Sequence, residues 1–255
     1  MGICAIAMFV CFTTPASDLG SPHDIAAAVA DPARSASDVE MDRWRKPDEV
    51  IGFAGLKAGD RIADFMSGNA YFTRIFSRVV GPKGRVYAFL PAEELANCAP
   101  EETAGTRALE KDSRYPNVTV LIDGADRFSA PEGLDLVWTA QNYHDLHDKF
   151  MAPTDVGRFN AAVFRALKPG GVYVIIDHAA SPGSGLRDTE TLHRIDPESI
   201  RSEVTAAGFV FEAQSTALRN SEDSHELRVF DPAIRHKTDQ VILKFRKPLM
   251  PGSRA

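Results

Sequence analysis

The run Arg61-Ile-Ala-Asp64-Phe-Met66-Ser-Gly68-Asn-Ala70-Tyr-Phe-Thr-Arg-Ile75-Phe76 decides the fold. An apolar strand ends on an acid. A loop of small residues follows, and then an amphipathic helix from about Ala70 to Val80. Strand, loop and helix in that order build a nucleotide pocket at the carboxyl end of a parallel strand.

The pattern repeats outward from this point. Gly55 to Asp60 is a turn that feeds the first strand, and Gly81-Pro82-Lys83-Gly84 is a turn after the helix. Further strands are expected at Arg85 to Leu90, Val118 to Ile122 and Leu134 to Thr139. Ala92 to Asp112 reads as an irregular helical stretch. A helix is expected over Ala152 to Leu167, ended by Lys168-Pro169-Gly170-Gly171. Val172 to Asp177 is a continuous apolar run, the mark of a buried parallel strand. Pro197 to Ala207 reads as a helix ended by Gly208. Phe209 to Ala217 and Asp239 to Lys247 read as the last two strands, joined without a long helix. The expectation is an α/β fold: a doubly wound, seven-stranded, mostly parallel sheet with an antiparallel terminal hairpin.

The chain has 255 residues, enough for one α/β domain with an N-terminal extension. Apolar content of 44% and charged content of 25% are ordinary for a globular protein. Net charge is −6, and no basic stripe interleaved with aromatics is present, so no nucleic-acid partner is expected.

The motif around Asp64 resembles motif I of class I S-adenosylmethionine (SAM) dependent methyltransferases. There an acid is followed by glycines at the second, fourth and sixth places, which here hold Met66, Gly68 and Ala70. The run Val86-Tyr-Ala-Phe-Leu90-Pro-Ala-Glu93 is similar to the family's second motif, with Leu90 at the place of the ribose-binding acid. The runs Gln141-Asn-Tyr-His-Asp-Leu-His147, Arg165 to His178 and His236-Lys-Thr-Asp-Gln240 look like a group of bacterial predicted methyltransferases whose members often carry a signal peptide. The resemblance covers about Asp42 to Pro248. A dinucleotide-binding domain is the nearest competitor, but the single Gly68 does not supply G-x-G-x-x-G.

The resemblance implies SAM as cofactor. It implies cofactor contacts from Asp64, Met66, Ser67, Gly68, Asn69 and Ala70 in the first loop and from the Leu90 position. Asp123 and Gly124 after the third strand, and Gln141 and Asn142 after the fourth, complete the set. Glu93 or Glu94 is placed to reach back toward the ribose, or else both face solvent. Tyr143, His144 and His178 lie at strand exits and are the candidate catalytic groups, since His titrates near neutral pH. His144, Asp145, His147 and Asp148 are ligand-type residues, but they match no metal signature, and no metal is expected. His193-Arg194 and Asp196 read either as acceptor-side residues or as a helix-capping cluster.

The expected activity is methyl transfer from SAM to an unidentified acceptor, a small molecule or another class. The alternative is a non-catalytic ligand-binding protein on the same fold, because Met66, Ala70 and Leu90 depart from the motifs. Gly2 to Phe12 is almost wholly apolar, too short for a bilayer span of about 20 residues, and has the length of a signal-peptide core. The expected organisation is a signal peptide over 1–16, a linker over 17–37 that carries a short helical stretch from Asp24 to Ala30, and a methyltransferase-like domain over 38–250. The compartment would be periplasmic or extracellular if that signal is real and cytoplasmic otherwise, with no stable membrane span.

Overall fold

The computed structural model describes residues 22–152 and 154–249; the expected signal peptide lies outside them. The elements, in order, are α1 (Pro22–Val29), α2 (Ala36–Arg45), α3 (Pro47–Ala54), β1 (Arg61–Phe65), α4 (Tyr71–Val80), β2 (Arg85–Pro91), α5 (Ala92–Asn97), α6 (Ala104–Leu109), β3 (Val118–Asp123), β4 (Leu134–Ala140), α7 (Val156–Ala166), β5 (Leu167–His178), α8 (Thr189–Leu192), α9 (Pro197–Ala206), β6 (Val210–Ser215) and β7 (Gln240–Arg246).

The strands form one seven-stranded sheet in the order β3-β2-β1-β4-β5-β7-β6. Pairings from β3 through β5 are parallel; β7 is antiparallel to both β5 and β6. This is the expected fold. The chain winds outward from β1 to β3, then crosses back to lay β4 on the other side of β1. That reversal is the switch point at which open α/β sheets bind ligands, outside the carboxyl ends of the strands.

Strand periodicity divides the core between two faces. On β4 and β5, Leu136, Trp138, Val172, Val174 and Ile176 face one layer, where Phe72 and Phe76 of α4 and Ile51 of α3 pack. Val137, Tyr173 and Ile175 face the other, with Phe159 and Val163 of α7 and Ile200 of α9. Helix α4 earns its place through buried Tyr71, Phe72, Ile75, Phe76, Val79 and Val80, a single stripe at helical spacing.

The short helical stretch expected over Asp24 to Ala30 is α1, whose Ile25 and Ala28 are buried in the α4 layer. Two local readings differ from expectation. The helix expected from Ala152 begins at Val156, capped by the Asp155 carboxylate, which accepts from Arg158 N at 2.9 Å. Lys168-Pro169-Gly170-Gly171 is not a turn between helix and strand. It is a bulge inside β5: Leu167 pairs with Leu134, and pairing resumes at Val172 with Leu136. Gly170 sits at φ +80°, and a Cβ on Gly171 would meet Leu167 and the Lys168 carbonyl at 2.9 Å. The glycines therefore serve the bulge, and Lys168 uses it to reach the Asp135 carboxylate at 2.6 Å.

Among the described residues, no helix is long and apolar enough to cross a membrane.

Candidate functional site

A cleft of about 900 Å³ opens over the carboxyl ends of β1, β4 and β5. Its floor is the loop after β1. Met66, Gly68 and Ala70 there have φ of 52°, 52° and 65°, all left-handed. These are the places where the resembled motif has glycine, and the backbone explains why: each needs a conformation that costs other residues about 1–2 kcal/mol. The chain supports the loop from three sides. Met66 N donates to Phe89 O at 3.0 Å, Asn142 Nδ2 donates to Met66 O at 2.7 Å, and Asn69 Oδ1 accepts from Gly105 N at 2.9 Å. Gln141, at the end of β4, is a further left-handed residue, at φ 66°. Strain of this kind gathers at functional sites. The Met66 side chain joins the core cluster beside Phe65 and leaves the hollow open.

Asp64 lines the cleft and is 3% exposed. Thr73 Oγ1 donates to it at 2.6 Å. Burial pushes its carboxyl up to about 7, against the opposing effects of the Thr73 hydrogen bond and the Arg45 charge. One wall comes from α2, through Asp38, Met41 and Arg45. The Arg45 guanidinium lies 4.6 Å from the Tyr71 ring centroid. The facing wall comes from α5 and the turn after it: Glu94, Asn97 and Glu102. Glu94 is 8% exposed, and its Oε2 has no hydrogen-bond partner among the described residues. Burial, with the Asp145 and Glu102 charges, raises its carboxyl to about 7.

The far end of the cleft is lined by His144, Asp145, His178, His193, Arg228 and Phe230. Buried Asp177 organises it, accepting from His144 N, His144 Nδ1 and His178 N, each at 2.7 Å. Although burial opposes charge on His144, the Asp177 and Asp145 carboxylates hold its proton affinity well above the ordinary histidine value. His178, with Nδ1 2.7 Å from Thr238 Oγ1, is pushed down to about 3 by desolvation and stays neutral.

Asp64, Met66, Ser67, Gly68, Asn69, Gln141, Asn142, His144 and His178 are thus brought to one cleft. Five other sequence candidates are not. Tyr143 points the opposite way: its hydroxyl donates to Glu203 Oε2 at 2.9 Å and accepts from Asn160 Nδ2 at 2.7 Å, inside the layer of α7 and α9. The tight turn His144–His147 sends adjacent side chains to opposite sides. Leu90 is fully buried outside the cleft lining. Ala70 is buried at the start of α4. Asp123 is tied to Arg127 at 2.7 Å and accepts from Gly124 N at 2.8 Å, and neither Asp123 nor Gly124 lines the hollow. Glu94, Asp145 and His193, which the sequence offered as alternatives, also line the cleft, and Arg228, which no motif singled out, joins them. Of the capping cluster, Asp196 caps α9, accepting from Glu198 N at 3.0 Å, and His193 closes α8 in a left-handed conformation; Arg194 is buried against Asp223.

No protein-family model matches the chain. Its sequence is 29% identical to a protein-L-isoaspartate O-methyltransferase of Ignicoccus hospitalis over 126 residues, 49% of this chain and 51% of that protein. It is 27% identical to a ubiquinone/menaquinone biosynthesis C-methyltransferase of Saccharophagus degradans over 129 residues, 50% and 47% of the two chains. The chain therefore spans about half the length of the curated relatives it matches. A SAM-dependent methyltransferase from Aquifex aeolicus superposes with a TM-score of 0.56 at 18% identity, covering 89% of this chain and 98% of that one. The fold is that of the class I SAM-dependent methyltransferases.

Proposed function

We propose that the protein is a SAM-dependent methyltransferase that transfers the methyl group in line to an acceptor entering from the His144 end of the cleft. The observation that carries the reading is Glu94. It places an unpaired, buried carboxylate oxygen in the hollow, where the family's usual ribose-binding acid is replaced by Leu90. A buried acid without donors is costly, and two ribose hydroxyls would supply them. In this reading the backbone of Ser67, Gly68 and Asn69 borders the methionine portion, Asp64 backs the loop, and α2 closes over the bound molecule.

SAM, when bound, supplies an already activated methyl group, so no strong base is demanded of the protein. The chain contributes alignment and exclusion of water. His178, neutral and facing the cleft, is a hydrogen-bond partner that orients an acceptor hydroxyl or amine; His144, held protonated by its two carboxylates, is an electrostatic partner for an anionic one.

Calorimetric titration with SAM and its demethylated product tests the reading. Micromolar binding is expected, and no heat at millimolar ligand would overturn it. Asp64→Asn keeps the shape and the Thr73 contact but removes the charge; about a tenfold loss of SAM affinity is expected, worth ~1.4 kcal/mol. Leu90→Asp is not expected to restore a ribose contact. The side chain is buried away from the hollow, so the acid should cost about 2–3 kcal/mol of stability with no gain in affinity, read by urea melts and the same titration.

A further inference from the structure

We propose that His144, Asp145, Asp148 and His193 bind a divalent transition-metal ion at the acceptor end of the cleft. One ligand-type atom from each lies within 4.8 Å of all the others. His144 Nε2 is 3.3 Å from His193 Nδ1 and 3.1 Å from Asp145 Oδ1. His193 Nδ1 is 3.6 Å from Asp145 Oδ1 and 3.8 Å from Asp148 Oδ2. Bonds of about 2.0–2.2 Å to a tetrahedral ion set its ligands ~3.3 Å apart. The separations already bracket that edge, so an ion fits with small side-chain adjustments.

Three further observations point to a ligand rather than to a chance cluster. Asp148 is 4% exposed, and its Oδ1 has no hydrogen-bond partner among the described residues. Its charge is sealed beside another carboxylate, which is unfavourable without a cation. His144 is oriented from behind, with Nδ1 on the fully buried Asp177 carboxylate. That carboxylate–histidine arrangement is the usual support of a metal-binding imidazole, and an ion at Nε2 would take the place of the proton held there. His193 sits at the end of α8 in a left-handed conformation, φ 54°, which turns its ring back toward His144. Arg228 Nη2 lies 3.0 Å from His193 Nε2, but Arg228 is exposed and free to swing away once Nδ1 is committed to the ion.

Two imidazoles and two carboxylates suit zinc, manganese or iron(II) better than calcium or magnesium, which prefer all-oxygen sets, or copper(I), which prefers sulfur. His144, Asp145 and His193 also line the cleft, so the ion would sit where an acceptor's oxygen or nitrogen can reach it. The inference rests on the geometry of these side chains and not on the methyl-donor reading.

Chelator-treated protein is titrated with zinc chloride, and separately with manganese chloride, by calorimetry. Bound metal is then counted by elemental analysis after dialysis. One ion per chain with micromolar or tighter affinity is expected. His193→Ala and Asp148→Asn should each weaken binding at least tenfold, while His236→Ala, outside the cluster, should leave it unchanged. Substoichiometric uptake, or uptake indifferent to both cluster variants, overturns the proposal. Because the readout involves neither SAM nor methyl transfer, its failure is distinct from a failure of the proposed activity.

Discussion

Glu94→Gln is expected to weaken SAM binding about a hundredfold at pH 8 while making the free protein more stable. The two effects share one cause. The folded protein holds the Glu94 carboxyl near 7, against 4.5 for an ordinary glutamate, because burial and the neighbouring acids disfavour its charge. The folded state therefore binds this proton more tightly than the unfolded state does. Stability contributed by the site is complete below about pH 4.5, declines as pH rises toward 7, and is flat above that. Glutamine has no charge to desolvate, so the variant should gain about 3 kcal/mol at pH 8 and almost nothing at pH 4.5, as each pKa unit is worth ~1.36 kcal/mol. Urea melts at the two pH values measure it. Binding runs the other way. Charge-assisted bonds from two ribose hydroxyls, about 1.5 kcal/mol or more each, amount to roughly a hundredfold in affinity. They also favour the ionised acid, so wild-type affinity should climb between pH 6 and 8, and the variant's should not. An unchanged affinity in the variant would remove Glu94 from the ribose site.

Asp223→Ala should lower stability by about 3–5 kcal/mol. Arg194 and Asp223 are a fully buried ion pair, at 2.9 Å. The guanidinium also donates to the carbonyls of Leu227 and Ala179, both at 3.0 Å. The carboxylate accepts from Asp239 N at 2.6 Å and His225 N at 3.1 Å. Together they pin the segment that carries Arg228, Val229 and Phe230 into the cleft. Alanine leaves the cation buried with only carbonyls for company. If desolvation of the orphaned charge is the cause, Arg194→Met combined with Asp223→Leu should recover much of the loss. A double variant as unstable as the single one would point instead to the backbone contacts of Asp223. Chemical denaturation of the three proteins decides between them.

The strand–loop–helix around Asp64 was legible because each of its parts is local: an apolar run, small residues, a helical stripe. The same holds for the buried run Val172 to Asp177 and for the terminal antiparallel pair. Lys168 to Gly171 was misread because a glycine bulge and a glycine turn use the same residues; only the partner strand, with Leu134 and Leu136 on either side of the bulge, tells them apart. Tyr143 and His144 are neighbours of similar chemical promise. The tight turn after β4 sends one to the core and the other to the cleft.

Side-chain spacing along the chain was enough to specify the sheet, its switch point and the loop beneath the cleft, since periodic burial acts on residues close in sequence. Which acid faces the hollow, and that His193 meets His144 across 49 residues at 3.3 Å, depended on tertiary packing. Desolvation and electrostatic pairing are set by whatever lies nearby in space, and a strand exit, a short helix and a distant turn become neighbours only once the sheet has closed.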